Sequence, residues 1–325
     1  MKSSNIGGQA VLEGIMMKNG DRYAVGVRKP DQEIEVSVQE YKSIMPSQKI
    51  RKIPFVRGIF SFVDSLVLGM KTLTYSAEFY EDEDAEVKEM TEEEIAKEKK
   101  KEQMIMNVTM VFSVVLAIGI FMILPYLLSS FLKKIISSRI LLTVLEGIIR
   151  LAIFFTYILL ISKMEDIQRT FMYHGAEHKC INCIEHGMEL NVDNVRKSSR
   201  QHKRCGTSFL FFVMIVSIIF CFMITAESQV MKVLIRIMLM PVIAGVSFEI
   251  IRLAGNSSNP IINLLSKPGL LVQNMTTKEP DDSMIEVAIQ AVEAVFDWRA
   301  YLNDNYGTNY EKAAESACEE NNYAI

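Results

Sequence analysis

The sequence predicts a mainly α-helical integral membrane protein with about four transmembrane helices, a small N-terminal β meander and a cytoplasmic helical loop that holds a metal site. Half of the 325 residues are hydrophobic, and the mean hydropathy of +0.18 is high for a soluble protein. The apolar residues are concentrated in four long stretches. All four histidines fall within residues 174–202, and this clustering is the main chemical clue in so histidine-poor a chain.

Composition excludes several classes of protein. The net charge is −4 and the isoelectric point is near 5.8, so the chain lacks the basic surface that nucleic-acid binding requires. Five cysteines are an odd number without framework spacing, which argues against a disulfide-stapled fold. Met1–Ala10 is polar and contains glycine, unlike a secretory signal peptide. We therefore expect the chain to enter the membrane through internal segments.

The N-terminal part reads as strands followed by a helix. Polar and apolar residues alternate in Tyr23–Arg28 and in Ile34–Val38, and Asn19-Gly20 is a typical hairpin turn. Residues 7–42 are therefore expected to form a small antiparallel meander. Pro54–Tyr75 is a broadly apolar helix that is too polar for a clear span, and it either lies at the membrane interface or packs in the core.

Four apolar stretches are predicted to cross the membrane. They are Ile105–Leu132, Ile140–Ser162, Ser208–Ala226 and Val233–Leu253. A span needs about 20 residues to cross roughly 30 Å of hydrocarbon. The fourth stretch is the weakest candidate for a span, because only its middle is free of charged residues.

Six segments follow from this pattern. They are residues 1–80, a β meander with an amphipathic helix; 81–103, a charged linker; 104–162, transmembrane helices 1 and 2; 163–207, a cytoplasmic His/Glu/Cys loop; 208–253, transmembrane helices 3 and 4; and 254–325, a cytoplasmic tail. Within the tail, apolar residues recur at helical spacing between Asp281 and Trp298, which predicts an amphipathic helix.

Charged residues inside the spans form two sets. Glu146 and Arg150 are one helical turn apart, and Glu249 and Arg252 also occupy neighbouring positions. Ionised groups at this depth are unfavourable unless they are paired or functional. We expect them either to pair within their helices, facing the bundle interior, or to line a polar path.

Basic residues indicate the orientation of the spans. Residues 163–206 contain eight lysines and arginines, whereas the loops on the opposite side contain Lys133, Lys134, Arg139 and Lys232. By the positive-inside rule, both termini and the histidine-bearing loop face the cytoplasm. The thiols of that loop would stay reduced there.

The histidine loop has the composition of a metal site. His174 and His178 are four residues apart, so on a helix they share a face and both can reach one metal ion. Glu177 stands between them in the His-x-x-Glu-His order of inverzincin metalloproteases, in which the glutamate is the general base. His202 and Cys205 can complete the ligand set, and zinc suits such a mixture of donors best.

Other residues of this loop carry weaker signals. Glu185 returns to the helical face of His174 eleven residues later, as a ligand or as a supporting partner. Cys180 and Cys183 form a single CxxC, which is weak evidence for zinc or redox chemistry. His186 precedes Gly187 and is most simply a residue at the end of a helix.

Several motifs together resemble the YqhQ-like family of bacterial membrane proteins. They are Gly8-Gln9-Ala10-Val11-Leu12-Glu13-Gly14-Ile15-Met16-Met17, Leu68-Gly69-Met70, Tyr173-His174-Gly175-Ala176-Glu177-His178-Lys179, Arg204-Cys205-Gly206-Thr207-Ser208-Phe209 and Thr276-Thr277-Lys278-Glu279-Pro280-Asp281-Asp282. The resemblance covers nearly the whole chain and implies a bacterial cytoplasmic-membrane protein of unknown function, described as a predicted metal-dependent enzyme. Glu13, in the first motif, is a further candidate ligand or supporting residue.

Two functions compete. The first is a metal-dependent hydrolase at the cytoplasmic face, with Glu177 as base and a membrane or lipid-linked substrate. The second is a non-catalytic membrane factor, in which a closed metal site organises a domain that binds or regulates a protein partner. A transporter fits less well, because four spans are few and no paired broken helices are evident.

The predicted topology can be tested with reporter fusions. Fusions after Ser138 and after Gly187 should report opposite sides of the membrane, because one span separates the two positions. Finding both reporters on one side would contradict the four-span arrangement.

Overall fold

The structure, a computed structural model, describes residues 3–45, 47, 49–80, 92–224, 228–256 and 259–311. Residues 81–91 of the predicted charged linker, and Cys318, lie outside this part of the chain. Two compact units are present. One contains Met1–Glu81, Leu160–Val213 and Pro241–Ile325, and the other contains Asp82–Leu159 and Met214–Met240.

The N-terminal strands form the predicted antiparallel meander. They are β1 Gly7–Val11, β2 Gly14–Asn19, β3 Arg22–Arg28 and β4 Ile34–Glu40, paired in the order β1-β2-β3-β4. The Gln9–Met17 stretch is two strands, because a tight turn at Leu12 and Glu13 divides it. Glu13 adopts a left-handed conformation there, with φ +45°. The next turn places Gly20 at φ +57°, where glycine is favoured.

One face of the sheet packs against two helices. They are α5, Glu165–Glu185, and α10, Asp282–Glu293. Ile15 and Met17 of the sheet are fully buried in this core, together with the apolar face of α10. The predicted helix over 281–298 ends early, at Glu293. The Asp297 side chain accepts a hydrogen bond from the Ala300 N–H and begins a separate helix, α11 Trp298–Tyr306.

The opposite face of the sheet packs against α1, Val56–Ala77. Leu68 of this helix joins a buried cluster with Met16, Val25 and other sheet residues. Its outer side remains apolar and exposed at Val63, Leu66 and Val67. The helix therefore packs on the sheet with one side and presents an apolar surface with the other.

Four helices of the described residues are long and apolar enough to cross a membrane, as the sequence predicts. They span Met104–Lys134, Arg139–Ile161, Gly206–Met223 and Val230–Gly255. The first combines α2 Glu92–Ile118, a π-helical turn Gly119–Ile123 and α3 Leu124–Phe131; the others belong to α4 Arg139–Ile161, α7 Gly206–Met223 and α8 Gln229–Asn256. From Glu92 onward the predicted linker is helical, because no glycine or proline interrupts it before the first span.

The intramembrane charges pair only in part as expected. Glu146 and Arg150 are both buried and paired one turn apart, 2.9 Å between atoms. The expectation for Glu249 and Arg252 is wrong, because Glu249 pairs with Arg57 of α1 at 2.5 Å, while Arg252 is exposed. A bidentate guanidinium contact across two helices replaces the intrahelical pair.

The tail contains a helix that the sequence pattern did not reveal. This is α9, Pro260–Thr276, which Asn259 caps by accepting a hydrogen bond from the Ile261 N–H. Pro268 inside the segment argues against a helix, whereas Asn-Pro at its start is a normal helix beginning. The residues just after α9 run alongside α5, where the Lys278 N–H donates to the Phe171 carbonyl.

Gly175 of α5 allows this close approach. A Cβ atom at this position would lie 2.0 Å from the Lys278 carbonyl oxygen. Gly175→Ala should therefore lower the free energy of unfolding by about 1–3 kcal/mol and reduce Tm in detergent. Gly119→Ala is the matched control, because nothing lies within 4 Å of a Cβ there. Equal Tm values for the two variants would contradict this packing.

Candidate metal centre

Helix α5 carries the predicted site residues on one side. His174 and His178 are one turn apart, and their ring centroids are 4.4 Å from each other. From Gly175 to Glu185 every residue of this helix is buried. The His178 imidazole is therefore shielded from water, whereas His174, which precedes this run, is half-buried.

Backbone carbonyl groups determine which ring nitrogen carries the proton in both imidazoles. His174 Nδ1 lies 2.9 Å from the Thr276 oxygen, and His178 Nδ1 lies 2.5 Å from the Arg200 oxygen. A carbonyl oxygen only accepts hydrogen bonds, so each Nδ1 carries the proton. Each Nε2 is then left with a lone pair, as in the usual arrangement of metal-binding histidines.

The Arg200 carbonyl is placed by α5 itself. Lys179 Nζ donates to the Arg196 and Ser198 carbonyls at 2.8 and 3.0 Å, and Asn182 Nδ2 donates to the Ser199 and Gln201 carbonyls at 2.6 and 2.9 Å. These bonds hold the loop after α6, Val192–Lys197, against the helix. His178 therefore meets a carbonyl whose position the same helix has determined.

Cys205 brings a sulfur atom to the histidines. It immediately precedes α7, and its Sγ lies 3.2 Å from His174 Nε2. The Thr207 N–H donates to this sulfur at 3.3 Å. Three ligand atoms lie within 4.8 Å of one another, one each from His174, His178 and Cys205. Zinc forms bonds of about 2.0 Å to nitrogen and 2.3 Å to sulfur. Small movements of the three ligand atoms would allow such bonds.

Glu177 is buried beside these three residues. One carboxylate oxygen, Oε2, has no hydrogen-bond partner in the described part of the chain. Burial raises the pKa of Glu177, while its electrostatic interaction with His174 and a hydrogen bond from the Gly8 backbone oppose this rise. A Cβ on Gly8 would lie 2.8 Å from Glu177 Cγ, so strand β1 approaches the carboxylate as closely as glycine permits.

A cavity of about 520 Å³ gives access to the site. His174, Glu177 and Cys205 line its polar part. Leu68 of α1 and Phe248 of α8 contribute to an apolar part. The arrangement can therefore hold a molecule that has both a polar group and a hydrocarbon portion.

His202 lies next to the three converging residues without joining them. Its ring centroid is 5.7 Å from that of His178, and its Nε2 is 3.6 Å from Glu185 Oε2. Burial lowers the pKa of His202. Gln273 of α9 fixes its backbone, accepting from the His202 N–H at 2.9 Å and donating to its carbonyl at 2.7 Å.

Glu185 supports the site from behind. It accepts hydrogen bonds from the Ser4 N–H and hydroxyl at 2.7 and 2.9 Å, and from Arg204. Burial alone would raise the pKa of Glu185, but the contacts with His202, Ser4 and Arg204 lower it to about 2. The structure thus brings Glu185 next to His202.

Glu13 is directed elsewhere. Its carboxylate pairs with Arg169, at the start of α5, and lies 3.4 Å from the Tyr173 hydroxyl. The hydrogen bond with Glu13 raises the pKa of Arg169. This pair joins the strained β1–β2 turn to α5, one turn before His174.

The CxxC residues are not brought to the site. Burial raises the pKa of both thiols, to about 11 for Cys183, and the Cys183 thiol donates to the Glu189 carbonyl at 3.3 Å. His186 follows the last residue of α5, with Nδ1 2.7 Å from the Asn182 oxygen. Its interpretation as a residue at the helix end is confirmed.

Arg200, Gln273 and Thr276 contribute to the site, yet sequence reasoning missed them. Arg200 and Thr276 act through backbone carbonyls, which any residue type provides. Gln273 is fully buried in a helix that was not predicted. The signal that could have found Thr276 is its place at the start of the Thr-Thr-Lys-Glu-Pro-Asp-Asp motif.

Glu185→Gln tests the supporting role. The change keeps the shape but removes the charge that Arg204 faces, so we expect a loss of about 2–4 kcal/mol in the free energy of unfolding. The measurement is thermal unfolding of the detergent-solubilised protein. Glu189→Gln, at an exposed glutamate, is the control. Similar Tm values for both variants would refute the role of Glu185.

Comparisons with known proteins agree with the motifs. The family model described as a protein of unknown function, DUF1385, matches residues 53–298. The uncharacterized protein YqhQ of Bacillus subtilis (strain 168) is 33% identical over 300 residues, which cover 92% of this chain and 94% of YqhQ. No solved structure matches the chain. The chain belongs to the DUF1385 family, the YqhQ-like proteins of unknown function.

Proposed function

We propose that this protein is a membrane-embedded, metal-dependent hydrolase that uses a divalent metal, with zinc the best match. The observation that carries the proposal is the convergence of His174, His178 and Cys205, whose ligand atoms lie within 4.8 Å of one another. The carbonyl groups that accept a hydrogen bond from each Nδ1–H leave the lone pair of each Nε2 ready to bind. The three residues come from two separate parts of the chain.

The donor set fits zinc. Two imidazole nitrogens and one thiol sulfur are the ligands that zinc accepts in tetrahedral sites, and three protein ligands leave a fourth position open. A zinc ion at this position would polarise the bond to be broken and lower the pKa of water.

Glu177 is assigned the role of general base. Its unpartnered oxygen can accept a proton from a water molecule and then donate it to the leaving group. A buried carboxylate with a raised pKa is better suited to returning the proton than an ordinary one. Gly8 lets the adjacent strand shield this carboxylate without displacing it.

The substrate is proposed to be membrane-bound or lipid-linked. The cavity joins His174, Glu177 and Cys205 to apolar side chains of α1 and α8, and the outer surface of α1 is itself apolar. A molecule anchored in the bilayer by a hydrocarbon portion could place its polar group at Glu177. From the bias of basic residues among the loops, we propose that the substrate binds at the cytoplasmic face of a bacterial cytoplasmic membrane. Both termini would lie on that side.

A second candidate is a structural metal site in a non-catalytic membrane factor. The observation in its favour is the position of His202, whose ring is 5.7 Å from that of His178. A modest movement of the loop would make His202 a fourth ligand and close the site. The metal would then join α5, the following loop and α7 into one surface for a protein partner.

Glu177→Gln and Cys205→Ser distinguish the two candidates. For a hydrolase, Glu177→Gln should retain the metal and lose activity by about 100-fold or more, because it removes the base but no ligand. For a structural site, Glu177→Gln should change little, whereas Cys205→Ser should lose the metal and lower Tm. Metal content is measured by elemental analysis of protein purified without chelator.

Activity is followed as the release of water-soluble products from bacterial membranes, detected by mass spectrometry. Glu189→Gln is the control variant and should match the wild type in both measurements. Wild-type protein that carries no metal would contradict both candidates. Product release that persists in Glu177→Gln would contradict the hydrolase.

A further inference from the structure

A second buried charge cluster lies in the unit formed by Asp82–Leu159 and Met214–Met240. It consists of Glu146 and Arg150 of α4 and Arg236 of α8, each at most 7% exposed. Arg150 Nη2 donates to Glu146 Oε1 at 2.9 Å, and Arg236 Nη2 donates to Glu146 Oε2 at 2.8 Å. Arg150 Nη1 also donates to the Ser217 hydroxyl at 2.6 Å. One carboxylate therefore serves two guanidinium groups.

The cluster carries an excess positive charge. Glu146 is the one acidic residue in the described spans of this unit, Met104–Lys134, Arg139–Leu159, Met214–Met223 and Val230–Met240. Two arginines against one glutamate leave a net charge of about +1 among membrane-spanning helices, where an unbalanced charge is strongly unfavourable. A further anion would remove this imbalance.

Hydrogen-bond donors without acceptors also favour an additional anion in this cluster. In the described part of the chain, the Tyr126 hydroxyl and the Nε groups of Arg150 and Arg236 are buried without a hydrogen-bond partner. The Arg236 guanidinium carbon lies 4.5 Å from the centre of the Tyr126 ring, and both Arg236 and Glu146 act electrostatically on the Tyr126 hydroxyl. What the cluster needs is therefore an acceptor that carries negative charge.

Further basic residues occur at the end of the unit where α3 ends and α4 and α8 begin. Lys133 Nζ lies 5.8 Å from the centre of the Tyr126 ring, Lys232 precedes Arg236 by one helical turn, and Arg139 begins α4. Arg236 is seven residues inside α8, roughly 10 Å along the helix. The cluster therefore lies about two helical turns from this end of α8.

We propose that this cluster binds the phosphate group of an anionic phospholipid from the leaflet at this end of the spans. Phosphate oxygens accept several hydrogen bonds and suit the planar guanidinium group, so they would engage the donors of Arg236 and Tyr126. A lipid is favoured over free phosphate because Leu127 and Leu128, next to Tyr126, are exposed and apolar. These side chains can pack against the acyl chains while the surrounding lysines attract the headgroup.

Thermal unfolding of the detergent-purified full-length protein tests the proposal. The probes are dihexanoyl phosphatidylglycerol, dihexanoyl phosphatidylcholine and inorganic phosphate. We expect phosphatidylglycerol to raise the Tm of the wild type, with a much smaller effect of the other two. Arg252→Gln, which removes an exposed arginine from the same helix, should respond as the wild type does.

Two variants separate binding from folding. Tyr126→Phe removes a hydroxyl that has no partner in the described protein, so a purely structural role predicts no change in the lipid response. The proposal predicts that phosphatidylglycerol binds about tenfold or more weakly. Arg236→Gln should weaken binding further, and Tyr126→Phe alone decides the matter where Arg236→Gln does not fold.

Three results would overturn the proposal. One is a wild-type protein that phosphatidylglycerol does not stabilise. The second is an unchanged lipid response in Tyr126→Phe. The third is equal stabilisation by inorganic phosphate, which would replace the lipid with a free anion.

Discussion

The backbone of the loop between α6 and α7 depends on α5 for its hydrogen bonds. Residues 198–205 form no helix or strand, and the carbonyl groups of residues 198–201 are bonded by Lys179, Asn182 and His178. Buried carbonyls without partners are rare, because each would lower stability by about 1–3 kcal/mol. The polar face of α5 therefore determines the path of the loop. That path in turn brings His202 and Cys205 to the histidines of the helix.

Close packing imposes the second constraint. Gly8 and Gly175 stand where a methyl group would collide with Glu177 and with the Lys278 carbonyl. At Gly175 the contact lets the chain after α9 run beside α5, which places the Thr276 carbonyl at His174. The tautomer of His174 thus depends on the glycine that follows it in the chain. Close packing at these two glycines therefore positions both Glu177 and the Thr276 carbonyl that His174 contacts.

Sequence periodicity predicted the helices and strands better than it predicted which side chains contact one another. The meander, the four spans and the helical face shared by His174 and His178 follow from local patterns. The partner of Glu249 does not, because Arg57 lies 192 positions away in sequence and Arg252 seemed the nearer choice by local spacing. Helix α9 escaped prediction because Pro268 breaks the usual pattern. Every residue type has a backbone carbonyl, so residue types do not show which carbonyls orient the imidazoles.

The unpartnered oxygen of Glu177 bears on the choice between catalysis and structure. A buried carboxylate with one unsatisfied oxygen destabilises the fold by about 1–3 kcal/mol. Glu185 also has one oxygen, Oε2, without a hydrogen-bond partner in the described residues, but its contacts with His202, Ser4 and Arg204 lower its pKa to about 2. A purely structural metal site would gain nothing from a carboxylate beside it that is kept without such partners. Proton transfer requires a group of this kind, and the same burial that raises the pKa of Glu177 equips it for that step.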